Sequence, residues 1–322
     1  MPITRKLFLA LCAAASILPA AAQDAYPNKP VKVIVALPAG GSVDMIARLV
    51  SQQLQTDLGQ PFVVDNKAGA SGQIGVPLVA KAPPDGYTLM VSPASFLTTN
   101  KSIFKALPYN PEADFAPVTK LVNQAMVLVV NDKAKYGTAA QILAAAKASP
   151  GKLTYASSGD GSPQHLAGLL FEHRSGVKLL HVPYKGGAPA ITDLIGGQVD
   201  MAFAPLPEAL PHIKSGKLHP VGTLSEKRAA ATPNIPTLKE GGVDNVYLSA
   251  WIGLLAPAGT PQPVLDKLGK SVKALLAGDA KTRLVELGME PAGDEAKPLK
   301  QVISEDIKLH AELVKAAGLV PQ

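Results

Sequence analysis

Pro38-Ala39-Gly40-Gly41-Ser42 is a turn whose two glycines leave backbone N–H groups uncovered. Such groups, at a strand end ahead of a helix, form an anion site that needs no cationic side chain. Similar segments recur at Ala68-Gly69-Ala70-Ser71-Gly72-Gln73-Ile74-Gly75, at Ser157-Ser158-Gly159-Asp160-Gly161-Ser162 and at Pro183-Tyr184-Lys185-Gly186-Gly187-Ala188. Any one of them is ordinary connection chemistry, because βα loops favour small residues. Four in one chain point to recognition of an anion by backbone donors, with Lys185 their only cation.

Catalytic patterns fail residue by residue. Gly69-Ala70-Ser71-Gly72-Gln73 lacks the last glycine of a nucleophile elbow. Gly159-Asp160-Gly161-Ser162-Pro163-Gln164 lacks the third glycine of a dinucleotide fingerprint. Gly269-Lys270-Ser271 ends like a phosphate loop, but Val264 stands where its first glycine belongs. His165, His173 and His181 are spaced by eight. On one helix that spacing separates neighbours by about 12 Å, too far to share a metal with bonds of about 2 Å. No metal and no cofactor are expected. His165 is read as capping or lining the Ser157–Ser162 loop, Asp160 and Lys185 as solvated charges, and Phe203 and Trp251 as core. An exported α/β hydrolase is the rival class; it needs an assembled acid–base or nucleophilic set, and here Ser, His and Asp are scattered.

The turns need strands before them and helices after them, and the chain supplies both. Val31 to Leu37 is a short β-branched run bounded by prolines, which predicts a buried strand. Val43, Ile46, Ala47, Val50, Leu54 and Leu58 recur at helical spacing, with Ser42 as expected N-cap and Asp44 near the positive helix end. Strands are predicted at Phe62–Asp65 and Tyr87–Val91, and the small polar stretch Ser92–Thr99, with Ser95 as a candidate contact, follows the third strand. This β-α-β-α-β order predicts a parallel sheet covered on both faces, with ligands outside the carboxyl ends of its strands. Val118 to Val130 is long for one strand and is read as passing between domains. Helices are expected at Ala139–Ala148, Gln164–Arg174, Leu206–Ile213, Pro263–Leu276, Lys281–Leu287 and Leu299–Ala317, and strands at Leu153–Ala156, Leu179–Val182, Val199–Ala204, Leu218–Thr223 and Trp251–Ala256. The result is two α/β lobes, residues 23–122 plus 224–322 and residues 123–223. Two crossings between them form a hinge, and the ligand sits between the lobes beneath the turns.

Composition agrees with a folded, exported chain. Of 322 residues, 47% are hydrophobic and 17% charged. Residues 1–22 read as a signal peptide, with Arg5 and Lys6, an apolar core from Leu7 to Leu18 too short to span a bilayer, and Ala20-Ala21-Ala22 before a cut at Gln23. The single cysteine, Cys12, lies inside it behind Leu11, which is too large for a lipid-anchor signal, so the mature chain has no thiol and no disulfide. Cleavage takes the formal charge from +6 to +4 by removing Arg5 and Lys6. No basic stripe with interleaved aromatics suggests nucleic acid, and no later apolar run reaches about 18 residues.

The motifs resemble those of one family, the substrate-binding proteins of tripartite tricarboxylate transporters, also called Bug proteins. The resemblance is carried by Tyr26-Pro27, Pro38-Ala39-Gly40-Gly41-Ser42 with Asp44 and Ala47-Arg48, Leu58-Gly59-Gln60-Pro61, Gly69-Ala70-Ser71-Gly72 with Ile74-Gly75, and Pro84-Asp85-Gly86-Tyr87-Thr88-Leu89. It continues through Leu107-Pro108-Tyr109, Asp114-Phe115, Tyr155, Ser157-Ser158-Gly159, His165-Leu166, Val182-Pro183-Tyr184-Lys185-Gly186-Gly187 and Pro233 with Pro236-Thr237, nearly the whole mature chain. The resemblance implies a monomeric two-lobed periplasmic binding protein, not an enzyme. Such a protein closes on a small carboxylate and delivers it to a membrane permease of one large and one small subunit. It implies ligand contacts at Pro38, Ala39, Gly40, Gly41 and Ser42 and at Ala70, Ser71 and Gly72, with Ser157, Ser158, Gly186 and Gly187 from the second lobe. The same fold also serves membrane sensor kinases, and the residues leave that alternative open. Pro77 departs from the pattern: the second helix either starts late, with Pro77 in its first turn, or is kinked there.

Overall fold

A computed structural model describes residues 26–278, 280–292, 299–316 and 321. The expected signal peptide, residues 1–22, lies outside the described residues.

The first half of the chain is β1 (Val31–Val35), α1 (Ser42–Leu58), β2 (Phe62–Asn66), α2 (Val76–Ala80), β3 (Thr88–Pro93), α3 (Ala94–Leu97), α4 (Asn100–Ile103), β4 (Phe115–Val130), α5 (Lys133–Tyr136) and α6 (Ala139–Ala148). The second half is β5 (Thr154–Ser157), α7 (Pro163–Ser175), β6 (Leu180–Pro183), α8 (Gly187–Ile195), β7 (Met201–Pro205), α9 (Leu206–Lys214), β8 (His219–Thr223), β9 (Ser249–Pro257), α10 (Gln262–Ala277), α11 (Ala280–Glu286), β10 (Met289–Pro291) and α12 (Leu299–Ala316).

The strands run in the order β2-β1-β3-β9-β4-β7-β5-β6, with β8 and β10 also on β4. As expected, β1 lies parallel to β2 and β3, but β9 enters antiparallel beside β3. The apolar run read as passing between domains is the 16-residue β4. Its first part pairs β9 from Phe115 to Ala125, and its second part, Met126–Val130, pairs β7 and β8. One strand therefore carries two curled sheets. The first is covered by α1 and α10 on one face, through Ile46, Val50, Leu54, Leu268 and Val272. Its other face takes α2, α3 and α12, through Val79, Leu97 and Ile303. The second sheet is covered by α7 through Leu166, Leu170 and Phe171, and by α8 and α9 through Ile191, Leu194, Leu206 and Leu210 on the opposite face. Buried on both faces, the second part of β4 reads as an unbroken apolar run, whereas β1 is interrupted by the exposed Lys32.

Three local readings change. Ser42 is not the N-cap: Gly41 holds that place and no side chain caps α1. Ser92–Thr99 is not an open polar stretch, because Phe96 and Leu97 are buried and wind it into the end of β3, α3 and the turn into α4. Residues 224–248 pack with the second lobe, not the first. Leu224 N donates to Met126 O, Leu238 N to Thr223 O, and Leu238, Val243, Val246 and Leu248 share a core with Met126 and Phe203. Pro77 lies in the first turn of α2, where a missing N–H costs nothing.

Candidate functional site

A cleft of about 1000 Å³ opens between the lobes at the carboxyl ends of β1, β2, β5, β6 and β7. Pro38–Ser42 and Ala68–Gly72 line it from the first lobe; Ser158–Gln164 and Tyr184–Pro189 line it from the second. Lys185 is the one lysine or arginine among its described lining residues.

The first loop is held open by Asp44. This buried carboxylate accepts from Gly40 N at 3.0 Å, from Arg48 Nε at 2.9 Å and from Asn66 Nδ2 at 3.0 Å. Burial pushes its pKa up, but Arg48, the Gly40 N–H and Asn66 more than offset that and hold it below the usual range. Asn66 Nδ2 also donates to Leu37 O. Gly40 has φ +90°, a conformation that glycine adopts without strain. With Asp44 committed to the loop, the first N–H groups of α1 meet no capping side chain, and the residues that carry them line the cleft.

The second loop is strained and braced. Ala70 (φ 47°) and Ser71 (φ 50°) are both left-handed, at about 1–2 kcal/mol per residue. Asn100 Nδ2 donates to Ser71 O at 2.9 Å, and Tyr109 Oη donates to Phe96 O at 2.6 Å. Gly72 (φ +86°) has the Phe96 ring where a Cβ would fall. The strain is retained because these contacts over-determine the loop.

Behind the third loop, the histidines meet. His165 on α7 and His181 on β6 stack with ring centroids 3.8 Å apart and planes 8° apart. His165 Nδ1 accepts from Gly161 N at 3.1 Å, and His181 Nε2 shares a 2.6 Å hydrogen bond with Ser157 Oγ. The helical spacing argument therefore fails for this pair, because His181 is on a strand and only its sequence distance suggested separation. Asp160 completes a group whose ligand-type atoms lie within 4.8 Å of one another. Parallel rings aim their lone pairs side by side, not at one point, and one lone pair already holds Gly161 N–H. The group is a brace for the loop. Burial, reinforced by His181 and opposed by Asp160, lowers His165 to about 4; burial, opposed by Asp160, also lowers His181.

Of the expected contacts, Pro38, Ala39, Gly40, Gly41, Ser42, Ala70, Ser71, Gly72, Ser95, Ser158, Gly186 and Gly187 line the cleft. Ser157 and His165 do not: both are buried behind the loop, tied to His181 and to Gly161. Trp251, expected in the core, is buried with Nε1 on Asp306, yet one edge reaches the cleft. The sequence reading missed Gln124 and Glu208. Gln124 lines the cleft where β4 leaves one sheet for the other, and its buried Nε2 has no partner among the described residues. A polar residue inside the long apolar run was its signal. Glu208 lies just beyond a strand's carboxyl end, where ligands of open sheets bind.

Comparison with known proteins follows the geometry. Residues 46–319 match the family model described as tripartite tricarboxylate transporter family receptor. The chain is 35% identical over 308 residues to BugT of Bordetella pertussis, covering 95% of this chain and 94% of that protein. Its fold is similar to R. palustris Rpa4515 solved with adipate, with TM-score 0.88, 33% identity and coverage of 92% and 100%. It is also similar to the periplasmic binding protein BugD, with TM-score 0.84, 36% identity and coverage of 92% and 100%.

Proposed function

The chain belongs to the tripartite tricarboxylate transporter receptor family, and from that premise we propose that it captures a small carboxylate in its inter-lobe cleft and delivers it to a membrane permease of one large and one small subunit. Its family consists of substrate-binding proteins, so the chain binds and does not catalyse. In this reading it works as a monomer in the periplasm after its signal peptide is cut. The first lobe comprises residues 23–122 plus most of the segment after 224, and the second lobe comprises residues 123–223 with the stretch to 248 packed onto it.

One observation carries the reading: the cleft is walled by small-residue loops that present the uncapped N-termini of α1 and α8 from opposite lobes. Micromolar binding requires about 8 kcal/mol. Charge-assisted hydrogen bonds contribute roughly 1.5–3 kcal/mol each, so about four to six such donors suffice after ordering costs. The adipate held by Rpa4515 is a ligand of this chemistry.

The test is a thermal-denaturation panel of mono-, di- and tricarboxylates, with sugars and neutral amides as controls. At a hundred times its dissociation constant, a carboxylate ligand should stabilise the fold by about 2.7 kcal/mol. A sugar that stabilises while no carboxylate does would overturn the reading. Carboxylate binding wholly lost in Lys185→Ala would overturn the claim that backbone donors hold the anion.

A further inference from the structure

Glu208 has a polar atom with nothing to bond. Its Oε2 is sealed from solvent and has no hydrogen-bond partner among the described residues. The carboxyl is pressed against the first turn of α8, where a Cβ built on Gly187 would collide with Oε2. It is the third residue of α9, the place from which a glutamate ordinarily turns back to the N–H of the capping residue. Here the capping residue is Pro205, which has no N–H. A capping box therefore cannot occupy this side chain. Burial alone raises its pKa to about 7, with no cation beside it. A sealed carboxyl oxygen without a partner is costly to keep, and Glu208 lies on the wall of the cleft.

We infer that Glu208 is a specificity-determining residue, whose carboxyl accepts a hydrogen bond from a hydroxyl or ammonium group carried on the carbon chain of the bound carboxylate; this rests on the carboxylate reading above. The wall around it favours a donor over a further carboxylate. The second lobe presents Asp160 and Glu208 to the cleft against Lys185 and His212, while Asp44 on the first lobe is committed to Arg48 and Gly40. In the carboxylate reading, the open helix ends at α1 and α8 serve the ligand's anionic groups. Another carboxylate at Glu208 would meet like charge, whereas a donor would pair with the carboxyl. A site built to bond a donor rejects the analogue that lacks it, because its own buried group is then left unpaired.

Calorimetry on the mature chain tests this with succinate and adipate, each beside its 2-hydroxy and 2-amino derivatives. At one chain length or the other, a derivative should bind about tenfold or more tighter than the plain diacid. Glu208→Gln should bring the ratio of derivative to plain-diacid affinity to within about threefold of one, with circular dichroism and melting temperature showing an intact fold. An ammonium ligand, unlike a hydroxyl one, should also release protons near pH 7, read from the buffer dependence of the binding heat. If none of the six compounds binds, the carboxylate reading fails and this inference falls with it. If diacids bind but no derivative is preferred, or the preference survives Glu208→Gln, the carboxylate reading stands and the role of Glu208 is refuted. Proton uptake with the plain diacids would mean that Glu208 donates to a carboxylate, and would refute it equally.

Discussion

Gly41 has ordinary extended backbone, φ −82° and ψ 174°, and open space where a Cβ would go. It is also the N-cap of α1, a place that aspartate favours. Gly41→Asp should therefore leave stability unchanged within about 0.5 kcal/mol while setting a carboxylate among the donors of the first loop. Carboxylate affinity should fall by about a hundredfold or more, since the ligand loses these donors and meets like charge. Titration calorimetry beside urea denaturation separates the two effects. Unchanged affinity would remove the first loop from the site. Gly187 is less suited to this test, because any side chain there collides with Glu208. The presence of Gly at positions 40, 41 and 187 was legible in the sequence; which of them has free space was not, since that depends on Glu208, a residue distant in sequence.

At the scale of elements, α7 docks on the second sheet through Gly168 and His165. A Cβ on Gly168 would strike the Tyr155 ring, and His165 stacks on His181 of β6. This fit makes docking pH-sensitive. In the unfolded chain a histidine takes its proton near pH 6.5; in the folded chain burial, with His181 beside it, delays His165 to about 4. The depressed pKa means that stability is complete above pH 6.5 and is lost as pH falls toward 4, by roughly 3 kcal/mol if His165 acts alone. Urea denaturation between pH 7 and pH 4 should show that slope, and His165→Gln should flatten it. An equal slope in the variant would place the titration elsewhere. The expected helix reached its observed bounds within a residue or so, because Leu166, Leu170 and Phe171 mark its buried face. Its docking partner His181 carried no mark of that role in the sequence.

For the whole molecule, the question is what sets the width of the cleft. Besides β4, α12 joins the lobes: Leu299, Ile303 and Ile307 pack in a first-lobe core, Leu313 and Val314 in a second-lobe core. Near the mouth, Ile103 at the end of α4 abuts Gly161 in the third loop, so a Cβ on Gly161 would collide with Ile103 Cδ1. Gly161 also has φ +71°, which a larger residue tolerates poorly. Gly161→Ala should wedge the lobes apart, weakening carboxylate binding by about tenfold and stability by roughly 1–3 kcal/mol. Adding Ile103→Ala should restore affinity by making room, while the backbone cost persists. Affinity unchanged in the single variant would show that this contact does not govern closure.

What the sequence determined by itself was local: β-branched runs between prolines make strands, 3.6-residue periodicity makes helices, and clustered glycines leave N–H groups open where one ends and the next begins. These properties depend on neighbours within a few residues, so Val31–Val35, Ala139–Ala148 and the four loops could be read directly. Tertiary structure decided what depends on distant pairs. It inserted β9 antiparallel between β3 and β4, packed residues 224–248 on the second lobe, and put His181 on His165. It also withdrew Ser157 and His165 from the cleft and brought Gln124 and Glu208 to it, each with a polar atom that has no partner among the described residues. Burial is a sum over the whole chain, and no short window of sequence holds both Glu208 and Gly187, the glycine it faces.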